Sequence, residues 1–562
     1  MKRLLLLLCW LTTGWVGQAQ LPVLQKVGDK TCLMVEGKPF VLYCGELHNS
    51  TASSVAYMDQ HQVFQQLADM HLNSLIATVS WEQFEPVEGT YDYTLTDALI
   101  ERAEQHHMKL ILLWFGTFKN PFMTYAPTWV KKDPKRFPRA VNAQGQELEM
   151  FTVCDDRILE ADAKAFAQLM KHVAEVDKRH TVVMVQIENE PGLQGTPRDY
   201  SAAANQAWNS PVPADLMHYL KAHKKQLKPD LAQAWQEQGC KMQGTWEEVF
   251  GKSITQPDES GRIVHLTEHL FTAYYYAKAC DRVAQAGKAV HPLPTFINAS
   301  VFGIHSRGRS LGNGCSIPDF FDVYRAAAPH IDILTPNSYM QQLDQIGEAF
   351  AWQGNPILIP ESTLVGARAL YIIGEYHAIA FSPFGIDATP EDYAKNPKLK
   401  EEQKRLGQAY ETMQQMGEVL TSKLGTPRMR GSYLYAGHET DTLVIGDYQF
   451  AFGPKRGFDI GALMAPAGGG FAPQKKPAQV QQGAALIVQE SADVFYLVGY
   501  NFNADITLAP GKKARYTGID KIYEGRFEQG QFIPGRLLNG DERNVYVGPS
   551  DVQVLKVEMY HY

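Results

Sequence analysis

The chain has 562 residues, a net charge of -8, 45% apolar side chains and 20% charged ones. That length exceeds one ordinary domain and supports a large core. The composition argues against an intrinsically disordered chain, and the acidic balance leaves no basic footprint for nucleic acid. Aromatic residues make up 11%, with 9 Trp and 26 Tyr, which leaves room for a stacking surface as well as a core.

The N-terminus, MKRLLLLLCWLTTGWVGQAQ, pairs Lys2 and Arg3 with an apolar run from Leu4 to Leu11. Gly17 and Ala19 suit the small-residue positions of a cleavage site. Residues 1–19 therefore read as a signal peptide, and the expected location is periplasmic or secreted. The run is too short to span a bilayer, and no later segment is long and apolar enough to do so. Beyond Cys9, the six cysteines Cys32, Cys44, Cys154, Cys240, Cys280 and Cys315 lie far apart. They form no C-x-x-C or Cys/His cluster, so no metal site is expected and free buried thiols are.

From about residue 40 to 390, short apolar runs alternate with amphipathic stretches. The runs are FVLYCGEL (40–47), LNSLIATVSW (72–81), MKLILLWFG (108–116), TVVMVQIENE (181–190), LPTFINAS (293–300), IDILTPNSY (331–339), NPILIPES (355–362) and HAIAFSPFG (377–385). Between them, TDALIERAEQHH (96–107) and ADAKAFAQLMKHVAEVDKR (161–179) repeat at helical spacing. Eight near-continuous apolar strands separated by helices predict a parallel sheet closed as a (β/α)8 TIM barrel over residues 20–424. The connection from Pro191 to His265 is long and compositionally ordinary, as expected of a lid or substrate wall. After the helical stretch 398–424, short alternating strands predict a smaller C-terminal all-β sandwich over 425–562, with 464–479 as an exposed loop.

Active sites of such barrels gather at the C-terminal ends of the strands. Those ends carry Glu46, His48 and Asn49; Trp81 and Glu82; Trp114 and Phe115; Glu188, Asn189 and Glu190; Asn298; Asn337 and Tyr339; and Glu361. Carboxylates and amides bond hydroxyls, and aromatic faces stack on pyranose C–H faces. No Gly-rich phosphate loop or nucleophile elbow competes, so no cofactor is expected. Glu190 on strand four and Glu361 on strand seven can oppose each other across the mouth, the arrangement that glycoside hydrolysis requires. One isolated strand-end Glu is explained as well by a structural ion pair. Two within a ring of amides and aromatics are not.

QIENEPG (186–192) resembles the strand-four motif of clan A retaining glycoside hydrolases, especially the ENE-(Y/P)-G form of family 35 and family 42 β-galactosidases. SWEQFEPVEGTYDY (80–93) is similar to the strand-two region of both, YAPTWVKKDPKRF (125–137) is nearer to family 42, and GELHNS (45–50) to family 35. The resemblance covers most of 38–390 and, overall, points to shorter bacterial family 35 enzymes with one C-terminal β domain of uncharacterised type. It implies Glu190 as acid/base, Glu361 as nucleophile, Asn189 as a substrate-binding amide and Tyr339 as the hydroxyl on the nucleophile. Glu46, His48, Asn49, Trp81, Trp114 and Asn298 complete the expected sugar site. Strand three departs from family 35: LLWFGTFKN replaces G-P-Y-x-C-A-E-W. The zinc-binding cysteine cluster of some family 42 enzymes is also absent. The expected function is a retaining exo-β-galactosidase with a carbohydrate substrate. Another exo-β-glycosidase (glucosidase, xylosidase or arabinopyranosidase) and a non-catalytic carbohydrate-binding protein remain as alternatives. Monomer and homodimer stay equally open, as does the role of Glu188.

Overall fold

The structure is a computed structural model and describes residues 20–252, 266–301, 312–453 and 482–562. The expected signal peptide and the loop 464–479 lie outside the described residues.

Among the described residues, eight parallel strands follow one another around a barrel: β1 (Leu42–Tyr43), β2 (Ser74–Ser80), β3 (Lys109–Lys119), β4 (Val182–Asn189), β5 (Thr295–Val301), β6 (Ile333–Ser338), β7 (Ile359–Ser362) and β8 (Ala380–Pro383). Just beyond β1, Glu46 closes the ring, bridging in parallel to Ile76 of β2 on one side and to Phe384 on the other. β2, β4, β5 and β6 are buried along their whole lengths. This explains why they read as continuous apolar runs: the barrel interior covers one face and the helices cover the other.

The interior is a cluster of its own, built from Leu42, Ile76, Ile111, Leu113, Met184, Phe296, Ile333 and Leu358 among others. Leu33 and Val35 belong to the same cluster. They come from an antiparallel sheet of Val23–Val27, Lys30–Val35 and Lys38–Pro39, which packs its apolar face into the barrel. Sequence reading included this segment in the barrel domain without foreseeing a separate sheet. Helices α1 (Thr94–Gln105), α2 (Asp156–Val176) and α3 (Leu266–Val290) belong to the outer layer. The long connection after β4 holds helices Ala202–Trp208, Ala214–Ala222, Pro229–Glu237 and Trp246–Phe250. The last carries a reciprocal capping box between Thr245 and Glu248. Leu193 pairs with Asn313, tying this connection to the segment after β5.

Helix α4 (Gly366–Tyr376) follows β7, and α5 (Leu399–Met416) breaks at Gly417, whose φ is 52°, before a short helix, Glu418–Thr421, carries on the helical stretch expected to run to 424. Beyond them come two antiparallel sheets. One orders Met429–Leu434, Gly483–Ser491, Val494–Tyr500, Gln553–His561, Thr517–Glu528 and Gln531–Leu537; the other Asp441–Ile445, Tyr448–Gly453, Phe502–Leu508 and Val545–Val547. They pack face to face: the rings of Tyr448 and Phe450 meet Phe495 of the other sheet at 5.5 and 5.1 Å. This is the sandwich predicted from alternation. It is joined to the barrel through α4, where Glu375 makes a two-pronged bond to Arg430 (2.8 and 2.7 Å).

Candidate active site

A regular strand sends alternate side chains to opposite faces, so Glu188 and Glu190 ought to share one face of β4. They do not. Glu188 and Glu190 adopt left-handed backbone, at φ 60° and 48°. Such angles cost non-glycine residues free energy and cluster at functional sites. The result is that Asn189 and Glu190 reach other strand ends around the mouth while Glu188 turns toward the end of β3 and helix α2.

Glu190 is buried and anchored on both sides. Its Oε1 accepts from Asn337 Nδ2 at 2.7 Å, and its backbone N–H donates to Asn298 Oδ1 at 2.7 Å. Burial first, and then the charge of Glu361, push its carboxyl up to about 7, against the pull of Asn337, Lys119 and Ser300. Glu361 accepts from Asn189 Nδ2 at 2.8 Å, from Asn298 Nδ2 at 3.4 Å and from the Tyr339 hydroxyl at 2.8 Å. Asn298 Nδ2 also donates to Asn337 Oδ1 at 3.1 Å. The two asparagines thus bridge the acids through neutral amides. Burial of its hydroxyl and then the charge of Glu361 hold the Tyr339 phenol well above its usual range, so it stays a donor.

Lys119, from the end of β3, donates to Asn189 Oδ1 at 2.8 Å and lies 5.0 Å over the Phe115 ring. An ammonium only donates, so it fixes which end of the amide is oxygen. The Asn189 NH2 group is therefore the end that faces Glu361. Lys119 escaped the sequence reading because a lone Lys at a strand end has the same signature as a surface Lys.

Glu46 lies two and four residues beyond Cys44 and Leu42, both of the interior cluster, and by alternation faces inward with them. Only 1% of it is exposed, and neither carboxylate oxygen has a hydrogen-bond partner among the described residues. Burial and then the charge of Glu361 raise it well above the usual carboxyl range. His48 is held at Nδ1 by Asp387 at 3.0 Å, and that bond raises its pKa. Asn49 has a buried Oδ1 with no partner among the described residues and lines a hollow of about 270 Å³ with Thr78, Ser80, Glu82 and Tyr125.

Two expected substrate residues are not at the mouth. Trp81 is 0% exposed and donates from Nε1 to Glu85 at 2.8 Å, packed edge-on against Trp129. Trp114 is also 0% exposed and donates to Asp162 at 2.8 Å, between Phe84 and Phe166. Trp114 falls on the outward parity of β3 and Trp81 opens the helical turn Trp81–Phe84 that follows β2, so each fills the layer between barrel and helices and offers no face to a sugar. This corrects their assignment. Asn337, Lys119 and Asp387, absent from the expected sugar site, hold its acids and His48 in place.

Residues 56–277 match the family model of glycoside hydrolase family 42, described as Beta-galactosidase. That span includes Glu190 and ends before Glu361. The match corrects the greater weight given to family 35. Residues 406–549 match a domain of unknown function, DUF5597. No match is found among curated proteins. Among solved structures, the chain is similar to the β-galactosidase of Rahnella sp. R3, at 15% identity and a TM-score of 0.46, covering 68% of this chain and 57% of that one. It is also similar to a family 42 β-galactosidase from G. stearothermophilus, at 12% identity and a TM-score of 0.47, covering 92% and 98%. The β-galactosidase of Bacillus circulans sp. alkalophilus gives 11% and 0.44, covering 92% and 99%. The chain thus spans 57% of the length of the Rahnella enzyme.

Proposed function

We propose that this protein is a retaining exo-β-galactosidase that removes terminal β-galactosyl residues from oligosaccharides or polysaccharide side chains. The observation that carries the reading is the pairing of Glu361, met by three donors, with Glu190, whose carboxyl is raised to about 7. The first environment suits an ionised nucleophile and the second an acid still protonated near neutrality. Glu361 attacks the anomeric carbon through an oxocarbenium-like transition state while Glu190 protonates the leaving oxygen. With the glycosyl ester formed, the charge of Glu361 is gone. Glu190 is then free to ionise and to deprotonate the water that releases the sugar. The match of 56–277 to a family described as Beta-galactosidase supports the choice of galactose. As part of the same reading, residues 1–19 direct export to the periplasm or beyond, to be tested by N-terminal sequencing of the exported protein.

Single substitutions separate the two roles. Glu361→Ala is expected to lose turnover of 4-nitrophenyl β-galactoside by about 10⁴-fold or more and to recover part of it with azide, giving the α-glycosyl azide. Glu190→Gln is expected to spare activated aryl leaving groups and to lose natural glycosides. Full activity of either variant would overturn the assignment. A panel of aryl galactosides, glucosides, xylosides and arabinopyranosides tests the sugar.

A further inference from the structure

Glu188 has no place in the chemistry above, yet it is fully buried and its backbone is left-handed. Its two oxygens accept from consecutive backbone amides of β3, Thr117 N to Oε1 at 3.0 Å and Phe118 N to Oε2 at 2.8 Å. Asp162 of α2, equally buried, accepts from the same Thr117 N at 2.9 Å, from the Thr117 hydroxyl and from Trp114 Nε1 at 2.8 Å. All of these donors are neutral. The register explains why they are available. Trp114 of β3 pairs with Ile187 of β4 and Lys119 with Asn189, so five steps on β3 face two on β4. The extra residues form a bulge whose amides leave the ladder and need other acceptors.

The two carboxyl groups converge above Gly116. A Cβ there would lie 2.6 Å from Asp162 Oδ2, 2.7 Å from Glu188 Oε1 and 2.4 Å from Trp114 Nε1. These two oxygens share the Thr117 N–H, and only the Asp162 oxygen has a second donor, the Thr117 hydroxyl, so two full negative charges this close in a buried site are disfavoured without a cation between them.

We propose that Glu188 and Asp162 share one proton, carried by Glu188 Oε1 and donated to Asp162 Oδ2, and that the pair are positioning residues. They fix the bulge of β3 that delivers Lys119 to Asn189, and through it orient the amide on Glu361. The placement of the proton follows from donor counting. Asp162 meets three donors with its two oxygens and so acts as the anion, whereas Glu188 Oε1 has only a share of Thr117 N. Burial, followed by the charge of Asp162, keeps Glu188 well above the usual carboxyl range, in agreement. Cys280 of α3, the titratable group facing both from that helix, is held as a neutral thiol by burial and by the same two acids.

The test uses the full chain with 4-nitrophenyl β-galactoside, and its kinetic arm rests on the proposed function. Glu188→Gln keeps a donor toward Asp162 and an acceptor for Phe118, and is expected to retain at least about a third of kcat. Asp162→Asn turns an NH2 group toward a donor, and Glu188→Ala empties the site. Each is expected to lower kcat about tenfold or more with KM changed less than about threefold, the scale of a small misplacement of a polar group. In a Lys119→Met background, either change is expected to cost less than about threefold further, because the pair acts through Lys119. Equal damage from Glu188→Gln and Glu188→Ala, or losses that multiply with Lys119→Met, would overturn the proposal. Infrared difference spectra of wild type against Glu188→Gln at neutral pH give a readout independent of activity. One protonated carboxyl band is expected to be lost with Glu188, and its absence from the wild type overturns the shared proton. Should the wild type hydrolyse no β-glycoside while keeping that band, the functional reading fails and the shared proton stands.

Discussion

Glu190 sits where burial and a neighbouring negative charge act in the same direction, and its protonation sets two observable consequences. With a free-site pKa of about 7, the acid form is depleted as pH rises. The kcat/KM of a substrate with a poor leaving group is therefore expected to fall tenfold per pH unit above about 7, and this limb should vanish in Glu190→Gln with an activated leaving group. Folding is linked with the sign opposite to that of a salt-bridged acid. Folding raises this pKa, so the folded state binds the proton more tightly and stability declines as pH rises from about 4 to about 7. Glu190→Gln is then expected to stabilise the protein at pH 8 by on the order of 3 kcal/mol, and hardly at all at pH 4, in denaturant titrations. Glu46 gives a second test. Leaving a buried polar group without a partner costs about 1–3 kcal/mol, and both oxygens of this carboxyl lack one among the described residues. Glu46→Ala is expected to lower kcat/KM on a β-galactoside about tenfold, on the scale of one neutral hydrogen bond. It should have little effect on the deoxy-galactoside that lacks the contacted hydroxyl. Equal losses across all deoxy sugars would remove Glu46 from recognition.

Elements matter here mainly where they become irregular. β4 is apolar and buried to its tip, and only the left-handed turns at Glu188 and Glu190 separate an outward carboxyl from an inward one. Period-two reasoning assigns those two residues to one face. It fails because backbone dihedrals at a strand end answer to neighbours that sequence does not show, here the bulge of β3. At the junction of α4 with the sandwich, Gly431 is the element-level test. A Cβ there would lie 2.6 Å from Tyr371 O and 2.8 Å from Glu375 N, both backbone atoms of α4. Backbone yields less than a side chain end, so Gly431→Ala is expected to cost about 1–3 kcal/mol, seen as a lower melting temperature with kcat little altered. An unchanged melting temperature would mean that the sandwich shifts freely on the barrel.

At the scale of the molecule, the barrel is bound at one end by the Leu33 and Val35 sheet and along one side by the sandwich. Tyr410 of α5 reaches the carbonyls of Cys44 and Phe381, at 2.9 and 2.7 Å, and so ties α5 to β1 and β8. One apolar cluster runs from the outer layer of the barrel into both sheets of the sandwich. Calorimetry is accordingly expected to show one cooperative unfolding transition, and a chain ending at residue 424 to be recovered aggregated. Two resolved transitions with a soluble fragment would show independent domains. The eight barrel strands and the two β sheets were legible in the sequence, because parallel strands covered on both faces and half-exposed antiparallel strands impose different hydrophobic periods on the chain. That Glu190, Asn189, Asn298, Tyr339 and Glu361 meet at one mouth was legible as well, since they stand at the ends of buried runs whose C-terminal ends gather there. What only the tertiary structure decided was direction and partnership. Trp81 and Trp114 turn into the outer layer, Glu188 turns away from Glu190 to Asp162, and Lys119 arrives at Asn189 from another strand. Each depends on the register between strands distant in sequence, and a local pattern of apolar and polar residues carries no record of that register.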